Sequence, residues 1–425
     1  MSKAGTRYIQ AGNYLINRET KLISLIAQWV ISDRRPPEIK EILTQGSIDW
    51  GYFNQLLTYH EFYSFAYICL GDYPSLIPAS ETDLLKKAHY YILVQLADLE
   101  HEFLKVSDIF REQQIDFLPL KGMAFLIDNM YGNKAGLRPM ADIDILIKKE
   151  CFLRAEKLIE ALDYRKELFG LKEDYWRKRN YHIAFTRNNN SKRLPVLIEV
   201  HWLLDYPGER LLLPDLWEKV KKIQYGDKEF TVLADEDMLF CLALHLRRFG
   251  KILSLKSACD FACILVKNKD LDWDYILREA ERGQMCASLY YRLIQANILF
   301  GIQVPGTILS ALNQPGFKRN LIERFVLRNT FSTSGDKDKS VFLKNHLLVY
   351  DNLWKPVSMI MNIPQEQFSK FYHLNPYGIR TLLLYQLRFL CYLFHLFVLV
   401  LSVIVERISS FFVKLFLMRL SSKRS

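Results

Sequence analysis

Between residues 14 and 111 apolar side chains recur every three to four positions. Leu22, Ile26, Trp29 and Val30 are one set; Leu93, Leu96, Leu99, Phe103, Val106 and Ile109 are another. That spacing predicts helices that bury one face, and Pro36-Pro37, Gly71 and the stretch 74–78 divide them. The pattern changes after Gln113. Residues 116–120 are short and apolar, Lys121-Gly122 makes a turn, an apolar helix runs to Tyr131, and a Gly- and Pro-containing loop fills 132–141. In 142–147 acidic and apolar side chains alternate, which predicts a strand with Asp142 and Asp144 on one face and Ile143, Ile145 and Ile147 on the other. A helix is expected over 151–162. Strands are expected over 181–187 and 196–203, joined as a hairpin by Asn188-Asn189-Asn190-Ser191. From Asp235 the helical spacing returns and runs to about Arg328, broken at Gly283 and at Val304-Pro305-Gly306. Asp235-Glu236-Asp237 is expected to cap the first of these helices. The polar segment 332–340 reads as a linker.

The sum is an α+β chain, in which a small mixed-sheet core is flanked by helical regions and followed by a hydrophobic helical tail. The expected boundaries are a helical region over 1–113, an α/β core over 114–232, a helical domain over 233–330, and linker and tail over 331–425.

Composition narrows the class. Of 425 residues 50% are hydrophobic and 24% charged, which excludes a disordered chain, and no fixed-period repeat is present. Seven scattered cysteines do not make a disulfide framework, and residues 1–18 lack the apolar core of a signal peptide, so a cytoplasmic setting is expected. The net charge of +10 is uneven. Nine basic residues against three acidic ones fall within 165–193, and five against one within 406–425. Each cluster is either a solvated face or a functional one: attraction for polyphosphate in the first, for anionic lipid in the second. The uncharged run 389–405 and the amphipathic, basic stretch 408–420 predict a tail that packs internally or associates with a membrane surface through 387–420.

The sharpest chemical signal is Asp142-Ile143-Asp144. Two carboxylates two residues apart on a strand point the same way, roughly 6 to 7 Å apart at Cα, a spacing that suits joint coordination of Mg²⁺. The second apolar strand carries Glu199, with His201 on the same face and Ile198, Val200 and Trp202 on the other. Three carboxylates on neighbouring strands meet the needs of metal-assisted nucleotidyl transfer, where Mg²⁺ or Mn²⁺ bridges the phosphates of an NTP.

These residues resemble a known family. Leu120-Lys121-Gly122, Tyr131 and the string Gly136-Leu137-Arg138-Pro139-Met140-Ala141-Asp142-Ile143-Asp144-Ile145-Leu146 are similar to the signature of the uncharacterised nucleotidyltransferase family of the polymerase-β-like superfamily. So are Ile198-Glu199-Val200-His201-Trp202, Asp215-Leu216-Trp217, Leu233-Ala234-Asp235-Glu236-Asp237, His245 and Leu271-Asp272-Trp273. The likeness spans roughly 20–310. It implies a minimal nucleotidyltransferase sheet with Asp142 and Asp144 as metal ligands and Glu199 as the third carboxylate. One departure stands out: the superfamily's Gly-Gly or Gly-Ser pair is here Lys121-Gly122.

Lys121 is a candidate contact to phosphate, with Gly122 allowing close backbone approach, or else a turn-lining surface lysine. Arg138 is a candidate bidentate phosphate clamp, or the partner of one of the same carboxylates. His201 is a hydrogen-bond partner of the acids or a ligand beside them, and His245 orients its helix. Cys241, His245, Cys259 and Cys263 have zinc-ligand spacing, but their apolar neighbours favour ordinary core packing. The expected activity is Mg²⁺-dependent transfer of NMP from an NTP to a hydroxyl on a small molecule, sugar or protein; no sequence feature supports a nucleic-acid partner. Alternatively the fold serves as a catalytically weak, tail-tethered nucleotide-binding scaffold. A glycosyltransferase is disfavoured, since no doubly wound nucleotide-binding unit precedes the acids.

Overall fold

The computed structural model describes residues 17–32, 34–168, 171–187, 195–211, 213–247, 254–312, 314–331 and, with gaps, 345–401. The chain divides into two units, Met1–Lys337 and Asp338–Ser425. The first begins with five helices: α1 (Arg18–Ser32), α2 (Glu38–Thr44), α3 (Trp50–His60), α4 (Tyr63–Leu70) and α5 (Ala79–Glu112). Leu22, Ile23, Ile26 and Ala27 of α1 are fully buried, as the apolar spacing requires. Helix α3 starts where the Asp49 side chain accepts from the Tyr52 N–H.

The α/β part follows as β1 (Phe117–Pro119), α6 (Lys121–Ile127), β2 (Ile143–Ile147), α7 (Phe152–Ala161), β3 (Arg165–Glu167), α8 (Glu173–Arg179), β4 (His182–Arg187) and β5 (Val196–His201). Its sheet has the order β1-β2-β5-β4-β3. β2 and β5 run parallel in the middle, and every other neighbour is antiparallel. Ile143, Ile145, Ile198 and Val200 are fully buried on one face, so both central strands have the alternation expected of them. The β4–β5 pairing is that of a hairpin, while its expected Asn-rich turn lies outside the described residues. Helix α6 ends at Ile127, short of Tyr131, and 3₁₀ turns occupy Gly132–Leu137.

Three features have no counterpart in the sequence reading. β3 and α8 are two of them. The third is a two-stranded ribbon, β6 (Val220–Tyr225) and β7 (Lys228–Leu233), which turns through Gly226 at φ +60°.

Helices α9 (Asp235–Leu244), α10 (Leu255–Lys267), α11 (Trp273–Arg282), α12 (Cys286–Phe300), α13 (Gly306–Ala311) and α14 (Gly316–Asn329) complete the first unit. The acids opening α9 do not cap it. Its N-cap is Ala234, without a side-chain bond; Asp235 instead accepts from Lys221 and Asn268, and Asp237 from the Tyr275 hydroxyl. Burial pushes the Asp237 carboxyl up to about 6.

One buried ion pair fastens the helical region to the sheet. Arg138, in the loop before β2, donates from Nε and Nη2 to the two oxygens of Asp260 on α10, each at 2.7 Å. Tyr131 donates to Oδ1 at 2.6 Å. Burial alone would raise the Asp260 carboxyl, but the Arg138 charge and these hydrogen bonds hold it below its ordinary value. The loop is pinned from beneath as well. A Cβ on Gly122 would meet Met140 Sδ at 2.5 Å and Arg138 Nη1 at 2.6 Å, so only glycine fits there.

In the second unit the described helices are α15 (Gln365–Phe371) and α16 (Ile379–Gln386), with Phe368 edge-on to Tyr385 at 5.6 Å. The expected linker 332–340, most of 389–405 and all of 408–420 lie outside the described residues. Among the described residues no helix is long and apolar enough to cross a membrane.

Removing one partner of a buried pair strands the other, so Arg138→Met should destabilise the first unit by about 3–5 kcal/mol in urea unfolding. Adding Asp260→Asn should recover most of the loss. Because the Asp260 pKa is depressed on folding, the pair's contribution is full above the unfolded carboxyl's value, about 4. It is lost as pH falls through the depressed value. The stability gap between wild type and the double variant should therefore close on acidification and stay constant between pH 5 and 8.

Candidate active site

Parallel pairing sets Asp144 of β2 directly beside Glu199 of β5, and period two turns both away from the isoleucine face. A buried Asp144 beside a half-buried Glu199 is costly unless positive or hydrogen-bonding groups surround the pair. Three do. Lys121 Nζ donates to Asp144 Oδ1 at 2.6 Å. His201, two residues beyond Glu199, has Nε2 at 3.0 Å from Asp144 Oδ1 and 3.5 Å from Glu199 Oε2. His182, the cross-strand partner of His201 on β4, has Nε2 at 3.7 Å from Glu199 Oε1. The two imidazoles stack, centroids 5.0 Å apart at 24°.

The charges divide accordingly. Burial would raise the Asp144 carboxyl, but Lys121 and His201 hold it well below the usual carboxylate range. Glu199 is also lowered, its burial outweighed chiefly by the His201 hydrogen bond. Asp142, half-buried and just ahead of the first residue of β2, is pushed up to about 7 by burial and then by the negative charge of Asp144.

Lys121 owes its place to the turn between β1 and α6. The Leu120 N–H bonds to the Asp144 carbonyl, extending the β1–β2 pairing by one residue, and Lys121 then takes the left-handed region at φ +47°. A non-glycine residue there costs roughly 1–2 kcal/mol, a strain worth noting beside a cluster of charge.

Asp144, Glu199 and His201 each offer one ligand atom, and the three lie within 4.8 Å of one another. Asp142 is not part of that group. Gly122 presses against Met140 and Arg138, which accounts for the glycine by packing. Arg138 does not act as a free clamp: both arms of its fork are on Asp260, and it is 7% exposed. A phosphate would have to displace a buried carboxylate to use it. Within the basic stretch 165–193, Lys166, Arg177 and Arg187 are engaged by acids. Lys166 pairs with Glu156, Glu160 and Glu173, Arg177 with Glu156 and Glu173, and Arg187 with Glu102. Cys241, Cys259 and Cys263 are buried and form no disulfide, and burial pushes Cys263 up to about 12.

Two nearby groups went unnoticed in the sequence. His182 could have been found from strand alternation opposite His201. Lys256, in the first turn of α10, pairs with Glu61 and lends positive potential to Asp142, and nothing in the sequence signals this.

A family model described as Uncharacterised nucleotidyltransferase matches residues 46–301. Searches of curated proteins and of solved structures return no match. The matched span holds the sheet, the acidic cluster and helices α3 through α12, more than half of the chain. The chain belongs to the uncharacterised nucleotidyltransferase family.

Proposed function

We propose that the chain transfers a nucleoside monophosphate from an NTP to a hydroxyl of a small molecule, sugar or protein, at a divalent-metal site built from Asp142, Asp144 and Glu199. The observation that carries this is the side-by-side register of Asp144 and Glu199 in a member of a nucleotidyltransferase family. The donor set suits a cation: a buried and a half-buried carboxylate, both lowered in pKa, and an imidazole, with His201 Nδ1 buried and without a hydrogen-bond partner. A bound Mg²⁺ or Mn²⁺ would neutralise charge on the triphosphate and on the departing pyrophosphate.

The protein's own groups do the positioning. Asp144 and Glu199 fix the ion's place against a rigid sheet. Lys121, already at Asp144 through a strained turn, supplies a point charge to the β- or γ-phosphate. Asp142, half-buried at the head of the strand, faces the acceptor side. Arg138 holds the loop that presents Asp142. The α/β core 114–232 carries the chemistry, and the helical domain 233–330 shapes the acceptor pocket.

The Lys121 ammonium on Asp144 favours a second reading, in which a tethered cation stands in for the metal and the chain binds nucleotide without turning it over. The two are separated by following label from α-³²P-NTP into acceptor in a cell extract, alongside calorimetry with each NTP and Mg²⁺ or Mn²⁺. Asp144→Asn and Glu199→Gln should each lower transfer by about 10²–10³, the scale set by loss of one charge-stabilising group. Binding without transfer supports the scaffold. Binding that is unchanged in both variants removes the site from either reading.

A further inference from the structure

Resting on the metal site proposed above, we infer that His201 is an inner-sphere ligand of it, and that the site therefore selects a first-row transition ion such as Mn²⁺ or Zn²⁺ over Mg²⁺. His201 Nε2 is the atom aimed at both acids, 3.0 Å from Asp144 Oδ1 and 3.5 Å from Glu199 Oε2. Ligand atoms bound to one ion at about 2.1 Å stand roughly 3.0 Å apart at a right angle and about 3.4 Å apart at the tetrahedral angle. Both separations from the ring are those of neighbouring ligands, and an ion entering there displaces the Lys121 ammonium from Asp144 Oδ1.

The ring is not placed there by chance of rotamer. Residue 201 follows Glu199 by one strand period, so β5 presents both to the same side, and the ring is sealed at full burial against His182. Its Nδ1 is buried and makes no hydrogen bond, so Nε2 carries all of the ring's polar contacts. His182 brings a second imidazole nitrogen to 3.7 Å from the free side of Glu199. Two carboxylates and two imidazoles are thus gathered from four positions on the three adjacent strands β2, β5 and β4.

That composition carries a preference. Mg²⁺ demands octahedral oxygen and gives up water reluctantly, whereas imidazole favours transition ions, with affinities rising along the first row. An all-carboxylate site leaves Mg²⁺ at ease; replacing one oxygen donor with nitrogen does not.

The experiment uses the full chain and Mn²⁺ alone, read by electron paramagnetic resonance. Loss of the free-ion signal measures affinity, and pulsed spectra report nitrogen bonded to the ion. Bound Mn²⁺ should show imidazole nitrogen modulation, and Mg²⁺ should displace it only at ten-fold or greater excess. His201→Asp, which keeps a donor and adds oxygen, should abolish the modulation and bring Mg²⁺ to parity, and circular dichroism should show it folded. Mn²⁺ that binds through Asp144, as judged by its loss in Asp144→Asn, yet shows no nitrogen modulation would overturn the ligand assignment and leave the metal site standing. Modulation that survives His201→Asp and disappears in His182→Ala would overturn it too. Failure of wild type to bind any divalent ion would remove the metal site itself.

Discussion

Two carboxylates fixed side by side on parallel strands repel each other, and burial strips away the water that would screen them. Asp144 and Glu199 stand under that constraint, and neither can move without breaking strand register. What makes the arrangement tenable is a ring of positive or donor groups, each from a different place in the chain: Lys121 from the β1–α6 turn, His201 from β5 itself, His182 from β4. The fold around the sheet can be understood as the means of keeping those groups there. The same ring explains why the two acids end with lowered pKa values while Asp142, one step outside it, is raised.

A continuous set of contacts links this cluster to the helical region. Lys121 touches Asp144; its neighbour Gly122 lets Met140 and Arg138 close in; Arg138 is held by Asp260 on α10. The contacts thus run without a break from the buried Arg138–Asp260 pair to the turn that places Lys121.

The parts of this design legible in the sequence are those set by local period. Alternation in 142–147 and 196–201 located both central strands and put Glu199 and His201 on one side, because strand geometry alone decides that. The family resemblance rests on the same residues. The partner of Arg138 was out of reach: Asp260 lies 122 positions away on another helix, and an arginine near two aspartates looks as though it belongs to them. Asp235-Glu236-Asp237 looked like a cap, yet tertiary partners claimed Asp235 and Asp237 first. The ribbon β6–β7 left a trace that could have been used, a Gly226-Asp227 turn ahead of alternating Phe230 and Val232, both buried. β3 left almost none, since three charged residues carry no apolar pattern.

The lengths of the outermost strands have a consequence of their own. β1 and β3 are each three residues long; one ends in Pro119 and the other is Arg165-Lys166-Glu167 throughout. A sheet whose long members are all interior, and whose margins are stubby, charged or closed by an imino acid, offers a neighbouring polypeptide almost no template on which to add a strand. The central sheet is thereby guarded against polymerising edge to edge.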